Sequence, residues 1–113
     1  MKLKDIVEKL HLTVRCGEER LDQEVTGGYA SDLLSDVIAN SKAGGVWVTM
    51  QVHVNTVAVA VLKELAAIII VQGKQPSEDT LKKAREEHVA IIVSDLPAFE
   101  TVGRIHSLLE GRS

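Results

Sequence analysis

A chain of 113 residues, 45% hydrophobic and 26% charged, is long enough to bury one core and too short for separate binding and catalytic domains. Its formal net charge of -3, with no run of Lys or Arg, argues against a nucleic-acid surface, which needs clustered cations to neutralise phosphates. Cys16 has no second cysteine to pair with. The charged N-terminal stretch does not read as a signal peptide, and the apolar tract Ala66 to Val71 is far below the ~20 residues of a membrane span. A cytoplasmic protein without membrane or nucleic-acid partners is expected.

In chain order, Leu3, Ile6, Val7 and Leu10 recur at helical spacing and predict an opening helix with one buried stripe. Leu12 to Cys16 reads as a short strand, and after the polar turn Gly17 to Arg20 a second extended segment, Leu21 to Val25, completes a hairpin-like pair. Gly27-Gly28 then runs into a helix whose apolar face is Ala30, Leu33, Leu34, Val37 and Ile38, with Ser31 or Asp32 as cap and an end near Asn40. Val46 to Met50 is β-branched, apolar and bounded by glycine, the pattern of a buried strand. Asn55 to Ala66 fits both periods. Its length without a turn signal, Asn55 as cap and Lys63-Glu64 inside it predict a helix buried on most sides. Ala67 to Val71 is the next strand, and Gln72 to Ser77 a loop ending in a Pro-Ser helix start. That helix carries Glu78 and Asp79 in its first turn and Lys82, Lys83 and Arg85 further on, which complements its dipole. Val89 to Val93 is another strand, and Ser94 to Pro97 opens a last helix with Phe99, Val102, Ile105 and Leu109 on one side.

Three wholly apolar strands separated by helices imply repeated β-α-β units, hence one α/β domain over residues 1–113: a three-layer α/β/α arrangement with a mainly parallel central sheet covered on both faces. Ligands of such sheets bind beyond the carboxyl ends of the strands, here residues 51–55, 72–77 and 94–97. Thr49, Gln51, His53 and Asn55 fall on alternate positions and form a polar row, the best candidate site in the chain, if the strand continues that far; Gly73 joins them from the second loop. The competing reading makes Asn55 a helix cap and His53 a plain loop residue. Thr26, Gly27 and Gly28 offer a hydroxyl and backbone amides at a helix entry, a geometry suited to anions. Here too a blander reading stands, in which the glycines only take positive φ at a strand-to-helix corner. His11 and His88 fall at helix ends, His106 lies on the last helix, and Cys16 reads as a buried, inert thiol. No His, Cys or carboxylate pair has metal-ligand spacing, and no nucleophile has an evident base, so neither a metal site nor a catalytic residue is expected.

The run Glu24-Val-Thr-Gly-Gly28, followed by Tyr29 to Val37, then Val46 to Asn55 and Ala67 to Gly73, resembles the DRTGG domain family over nearly the whole chain. In that family the domain occurs beside phosphotransacetylase catalytic domains, between CBS-domain pairs and pyrophosphatase domains, and as a free-standing small protein. It is similar to the N-terminal domain of HPr kinase/phosphorylase. The resemblance implies a compact α/β layer structure with a central sheet, self-association and a regulatory role. The name-giving motif is altered: Asp-Arg-Thr-Gly-Gly reads Glu24-Val25-Thr26-Gly27-Gly28, so the acid is longer and the guanidinium fork that would hold a phosphate is gone. Kinase chemistry of the P-loop type is not expected, because the only Gly-Lys, Gly73-Lys74, is followed by Gln75 and preceded by no spaced glycine. The expected function is therefore a non-enzymatic regulatory module. It binds a small anionic ligand, a nucleotide among the candidates, needs no cofactor, and acts through a homodimer or a protein partner. The alternative is a purely structural interaction protein with no ligand, using the Val57 to Leu62 helix face or the Trp47 strand as a subunit interface.

Overall fold

The apolar runs become neighbouring strands of one sheet. In the computed structural model, residues 1–111 are described. The elements run α1 (Leu3–Leu10), β1 (Thr13–Cys16), a short 3-10 turn (Glu18–Arg20), β2 (Gly27–Ala30), α2 (Leu34–Asn40), β3 (Gly45–Thr49), α3 (Asn55–Leu62), β4 (Ala67–Ile70), α4 (Glu78–Glu87), β5 (Ile91–Val93) and α5 (Ala98–Leu109). The strand order is β1-β5-β4-β3-β2. Strands β2 to β5 are parallel, because a helix carries the chain back before each next strand, and β1 closes the far edge antiparallel to β5.

Burial on both faces explains why the central strands are apolar without alternation. Successive side chains point to opposite sides. Trp47, Ile68, Ile70, Ile91 and Val93 pack under α2, α3 and α4 with Val37, Val57, Leu81 and Ala84. Val46, Val48, Ala67, Ile69 and Ile92 pack on the other side under α1 and α5 with Leu3, Ile6 and Ile105. The expected three-layer α/β/α arrangement with a mainly parallel sheet is the one observed.

Several local expectations change. Residues 21–25 are not a strand paired with β1. They run along the N-terminus instead, where the Leu3, Lys4 and Val25 amides donate to the carbonyls of Gln23, Leu21 and Met1, because the free amides that begin α1 take these carbonyls first. Gly27 and Gly28 are not a corner: neither has positive φ, and both belong to edge strand β2. Ala30 is thus a strand residue, and α2 starts only at Leu34. Neither Ser31 nor Asp32 caps α2; Ser31 Oγ accepts from the Leu33 amide, and Asp32 turns toward β3. Helix α3 is shorter than expected and buried on one side only, and Asn55 does not cap it. Leu33, Ile38 and Phe99 point to solvent, Phe99 being 89% exposed. Other expectations hold. Ser77 caps α4 by accepting from the Thr80 amide, and His11 and His88 end their helices in the left-handed conformation, at φ 55 and 57. Cys16 is buried with its Sγ donating to the Val89 carbonyl, and burial pushes its thiol pKa up.

Candidate ligand site

The residues singled out in the sequence fall at opposite ends of the sheet. Strand β3 runs from Gly45 to Thr49, so its two ends lie about 13 Å apart at ~3.3 Å per residue. Thr26, Gly27 and Gly28 sit at the amino end of β2, in register with the start of β3. Thr49, Gln51, His53, Asn55 and Gly73 sit beyond the carboxyl ends.

At the carboxyl end the polar row breaks up, because β3 stops at Thr49. Asp32, which the sequence offered only as a helix cap, organises this end. One oxygen of its carboxylate accepts from Thr49 Oγ1 (2.8 Å) and from the Met50 amide (2.7 Å), while its backbone carbonyl accepts from Gln51 Nε2 (2.9 Å). Thr49 is buried and fully engaged. The His53 carbonyl accepts from the Thr56 hydroxyl and starts α3, whereas the His53 and Asn55 side chains are exposed. Gln72 and Gly73 both have positive φ, which turns the chain so that their amides donate to the Leu96 and Ser94 carbonyls. The result is a laced rim around a shallow, open depression of about 290 Å³ lined by Asp32, Gln51, His53 and Lys74.

The amino end has a larger crevice, about 440 Å³, between β2, the C-terminus of α2 and Leu65. Thr26 builds one wall: its amide donates to the Gly44 carbonyl (3.0 Å) and its hydroxyl to the Ala43 carbonyl (2.9 Å). Thr26 therefore has neither donor left for an anion. Gly44, at φ 80, comes so close that a Cβ there would lie 2.8 Å from Thr26 Oγ1. Gly27 and Gly28 differ in kind. A Cβ on Gly27 would meet nothing within 4 Å, and one on Gly28 would make only ordinary contact with Val46. Among the described residues, neither φ nor packing requires these two glycines.

Charge and unmet hydrogen bonding favour the same crevice. Among the described residues Lys42 is the one charged residue lining it, and no ion pair engages its ammonium. Beside it Ser41 Oγ is buried without a hydrogen-bond partner, the situation a buried polar group avoids unless a ligand or water completes it. The Tyr29 hydroxyl and Asn40 Nδ2 both donate to Asp36 Oδ1, at 2.7 and 2.8 Å. The Tyr29 hydroxyl first, then Ser31 and Asn40, hold the Asp36 carboxyl below its ordinary pKa, and the same Asp36 bond raises that of Tyr29. Ser41, Lys42 and Asp36 escaped the sequence reading; the only signal was a polar run, Asn40-Ser-Lys42, between a helix and paired glycines. Among the described residues no group of three His, Cys, Asp or Glu side chains could hold a metal ion, and no helix is long and apolar enough to cross a membrane.

These features define a small α/β/α domain with a cationic, glycine-edged crevice. The DRTGG domain signature matches residues 5–108, and the chain belongs to the DRTGG domain family. Among solved structures it is similar to the CBS and DRTGG domains of the regulatory region of Clostridium perfringens pyrophosphatase, determined in complex with an activator, diadenosine tetraphosphate. The TM-score is 0.66 at 13% identity, over 88% of this chain and 44% of that one. That likeness is one of fold, and this chain spans less than half the length of the pyrophosphatase fragment. No curated protein sequence matches significantly.

Proposed function

We propose that this protein is a cytoplasmic regulatory module without catalytic activity. It binds a small anionic ligand, best a nucleotide, in the crevice at the amino ends of β2 and β3, and relays occupancy through a homodimer or a protein partner. The observation that carries the reading is the pair Gly27 and Gly28, which the chain does not need for φ or for packing. Glycine in a strand weakens it, so two together are best explained by something that approaches the backbone closely. Lys42 supplies the charge for a phosphate, Ser41 Oγ an unmet hydrogen bond, and Val46 and Leu65 an apolar surface for a base. Thr26 shapes the wall. Gln51, His53, Asn55 and Gly73 lie at the other end of the sheet, about 13 Å away, and in this reading they hold the opposite rim.

The test is thermal melting against a panel of mononucleotides, dinucleoside polyphosphates and phosphorylated metabolites. A ligand at a hundred times its Kd adds about 2.7 kcal/mol of stability. The expected result is that at least one nucleotide raises Tm, that Lys42→Ala and Gly27→Val remove the rise, and that His53→Ala keeps it. Loss of the rise in His53→Ala alone would move the site to the carboxyl end. No rise with any compound, from a protein that still self-associates, would favour the purely structural alternative. Turnover of ATP by purified protein would overturn the non-enzymatic reading.

A further inference from the structure

Helix α3 is apolar on both sides. Its buried side, Val57, Val59 and Ala60, faces the sheet at 5% exposure or less. Its outer side carries Val54 (45% exposed), Ala58, Val61 (45%) and Leu62 (65%), the i, i+4, i+7, i+8 spacing of one helical stripe. The neighbouring α2 crosses the same layer in the same direction and adds Leu33 (64%) and Ile38 (40%) to the surface. From residue 51 to residue 62 there is no Asp, Glu, Lys or Arg. The Trp47 strand, the other interface considered from sequence, is excluded, because Trp47 is 0% exposed.

We infer that this surface is covered by a second copy of the chain, with the two α3 helices packed antiparallel about a two-fold axis at Ala58. The spacing is self-complementary. Val54 and Leu62 stand four residues either side of Ala58, so the two-fold sets Val54 of each copy against Leu62 of the other, and the small Ala58 lets the helices approach. The size agrees. The exposed parts of these six side chains sum to roughly 500 Å² per copy, about two thirds of the ~800 Å² a standard interface buries per partner and close to the apolar share of homodimer interfaces. The uncharged stripe also offers nothing to steer a partner of opposite charge. This specifies the homodimer of the functional reading above and is independent of its ligand.

Light scattering on eluting protein at micromolar concentration is expected to give twice the chain mass for the wild type. Ala58→Glu, which sets two carboxylates against each other on the axis, and Leu62→Glu are each expected to weaken the dimer by at least about 100-fold. The double variant Val54→Lys with Leu62→Glu brings opposite charges together across the axis and is expected to recover most of the dimer. These positions are exposed, so circular dichroism should show each variant folded. Oxidation should cross-link Ala58→Cys chains to each other, Cys16 being buried and out of reach. A wild type that is monomeric throughout, or a dimer that Ala58→Glu and Leu62→Glu leave intact, overturns the inference. The nucleotide-dependent rise in Tm, measured on the same variants, reports the ligand reading separately.

Discussion

Replacing Gly27 separates a glycine kept for a ligand from one kept for the fold. Its backbone is extended and a Cβ meets nothing within 4 Å. Gly27→Ala therefore keeps every contact and reduces the freedom of the unfolded chain, a gain of about 0.4–1 kcal/mol. For a domain of this size that is roughly 2–5 °C in Tm. Gly27→Val suits a strand equally well but fills the crevice with two more methyl groups, so it should melt no lower than wild type while losing the rise that a saturating nucleotide produces, roughly 10 °C for ~2.7 kcal/mol. Gly17 is the control. At φ 84, a Cβ there would lie 2.4 Å from Ala90 Cα, so Gly17→Ala meets both a disfavoured conformation and a backbone collision and should lose at least ~3 kcal/mol. The assay is chemical denaturation with and without ligand. If Gly27→Ala loses more than ~1 kcal/mol, the glycine is structural; if Gly27→Val keeps the full ligand-induced rise, the crevice is not the site.

Four further outcomes follow from other side chains. Ser94 Oγ and Thr101 Oγ1, both buried, hold β5 to α5 at 2.9 Å; Thr101→Val keeps the shape but removes the partner, and should lower unfolding free energy by about 1–3 kcal/mol in denaturant titration. Asp36→Asn should bring the Tyr29 phenol down toward its ordinary value, followed by its ultraviolet titration, since the Asp36 bond is the main cause of the rise. Because the folded-state pKa of Asp36 is lowered, its contribution to stability is present above the unfolded value of about 3.9 and is lost as pH falls through the folded one. The acid limb of the stability curve should accordingly be shallower in Asp36→Asn. Cys16 should resist an aromatic disulfide reagent in native protein and react at once in urea; fast native labelling would contradict its burial.

The layers were legible in the sequence because burial on both faces leaves a distinctive mark: Val46 to Val48, Ala67 to Ile70 and Ile91 to Val93 have no polar alternation. The edges were not. Strand β2 reads Gly-Gly-Tyr-Ala, a composition that local propensity assigns to a turn, and only pairing with β3 makes it a strand. That single misreading moved Thr26 to Gly28 from the amino end of the sheet to a supposed helix entry. The fold instead holds them about 13 Å from the strand-end row, at the other end of β3. The role of Asp32 beyond a helix cap was illegible for a related reason. Its partners, Thr49 and Met50, lie 17 and 18 residues away, and no local pattern reports such a bond. Phe99 fits the helical stripe by spacing yet faces solvent, since Thr101 and Ile105, not Phe99, turn toward the sheet.

The crevice and the proposed dimer surface share helix α2, and that sharing predicts coupling. Asn40 and Ser41, at its C-terminus, line the crevice, while Val37 in its middle packs with Val57 of α3 in the core under Trp47. A phosphate that draws Lys42 and satisfies Ser41 Oγ pulls on the end of a helix only two turns long, whose outer residue Ile38 belongs to the α2–α3 surface. Linkage makes the effect reciprocal: whatever factor ligand changes in the dimer constant, dimerisation must change in ligand affinity. Typical couplings of 1–3 kcal/mol correspond to about 5–150-fold, so nucleotide Kd measured by calorimetry should drift by at least fivefold as protein concentration crosses the dimer constant. In Ala58→Glu it should hold steady at one value. Equal affinities in wild type and Ala58→Glu at all concentrations would mean that the site and the interface are both present but energetically independent, and that any signal leaves the domain by another surface.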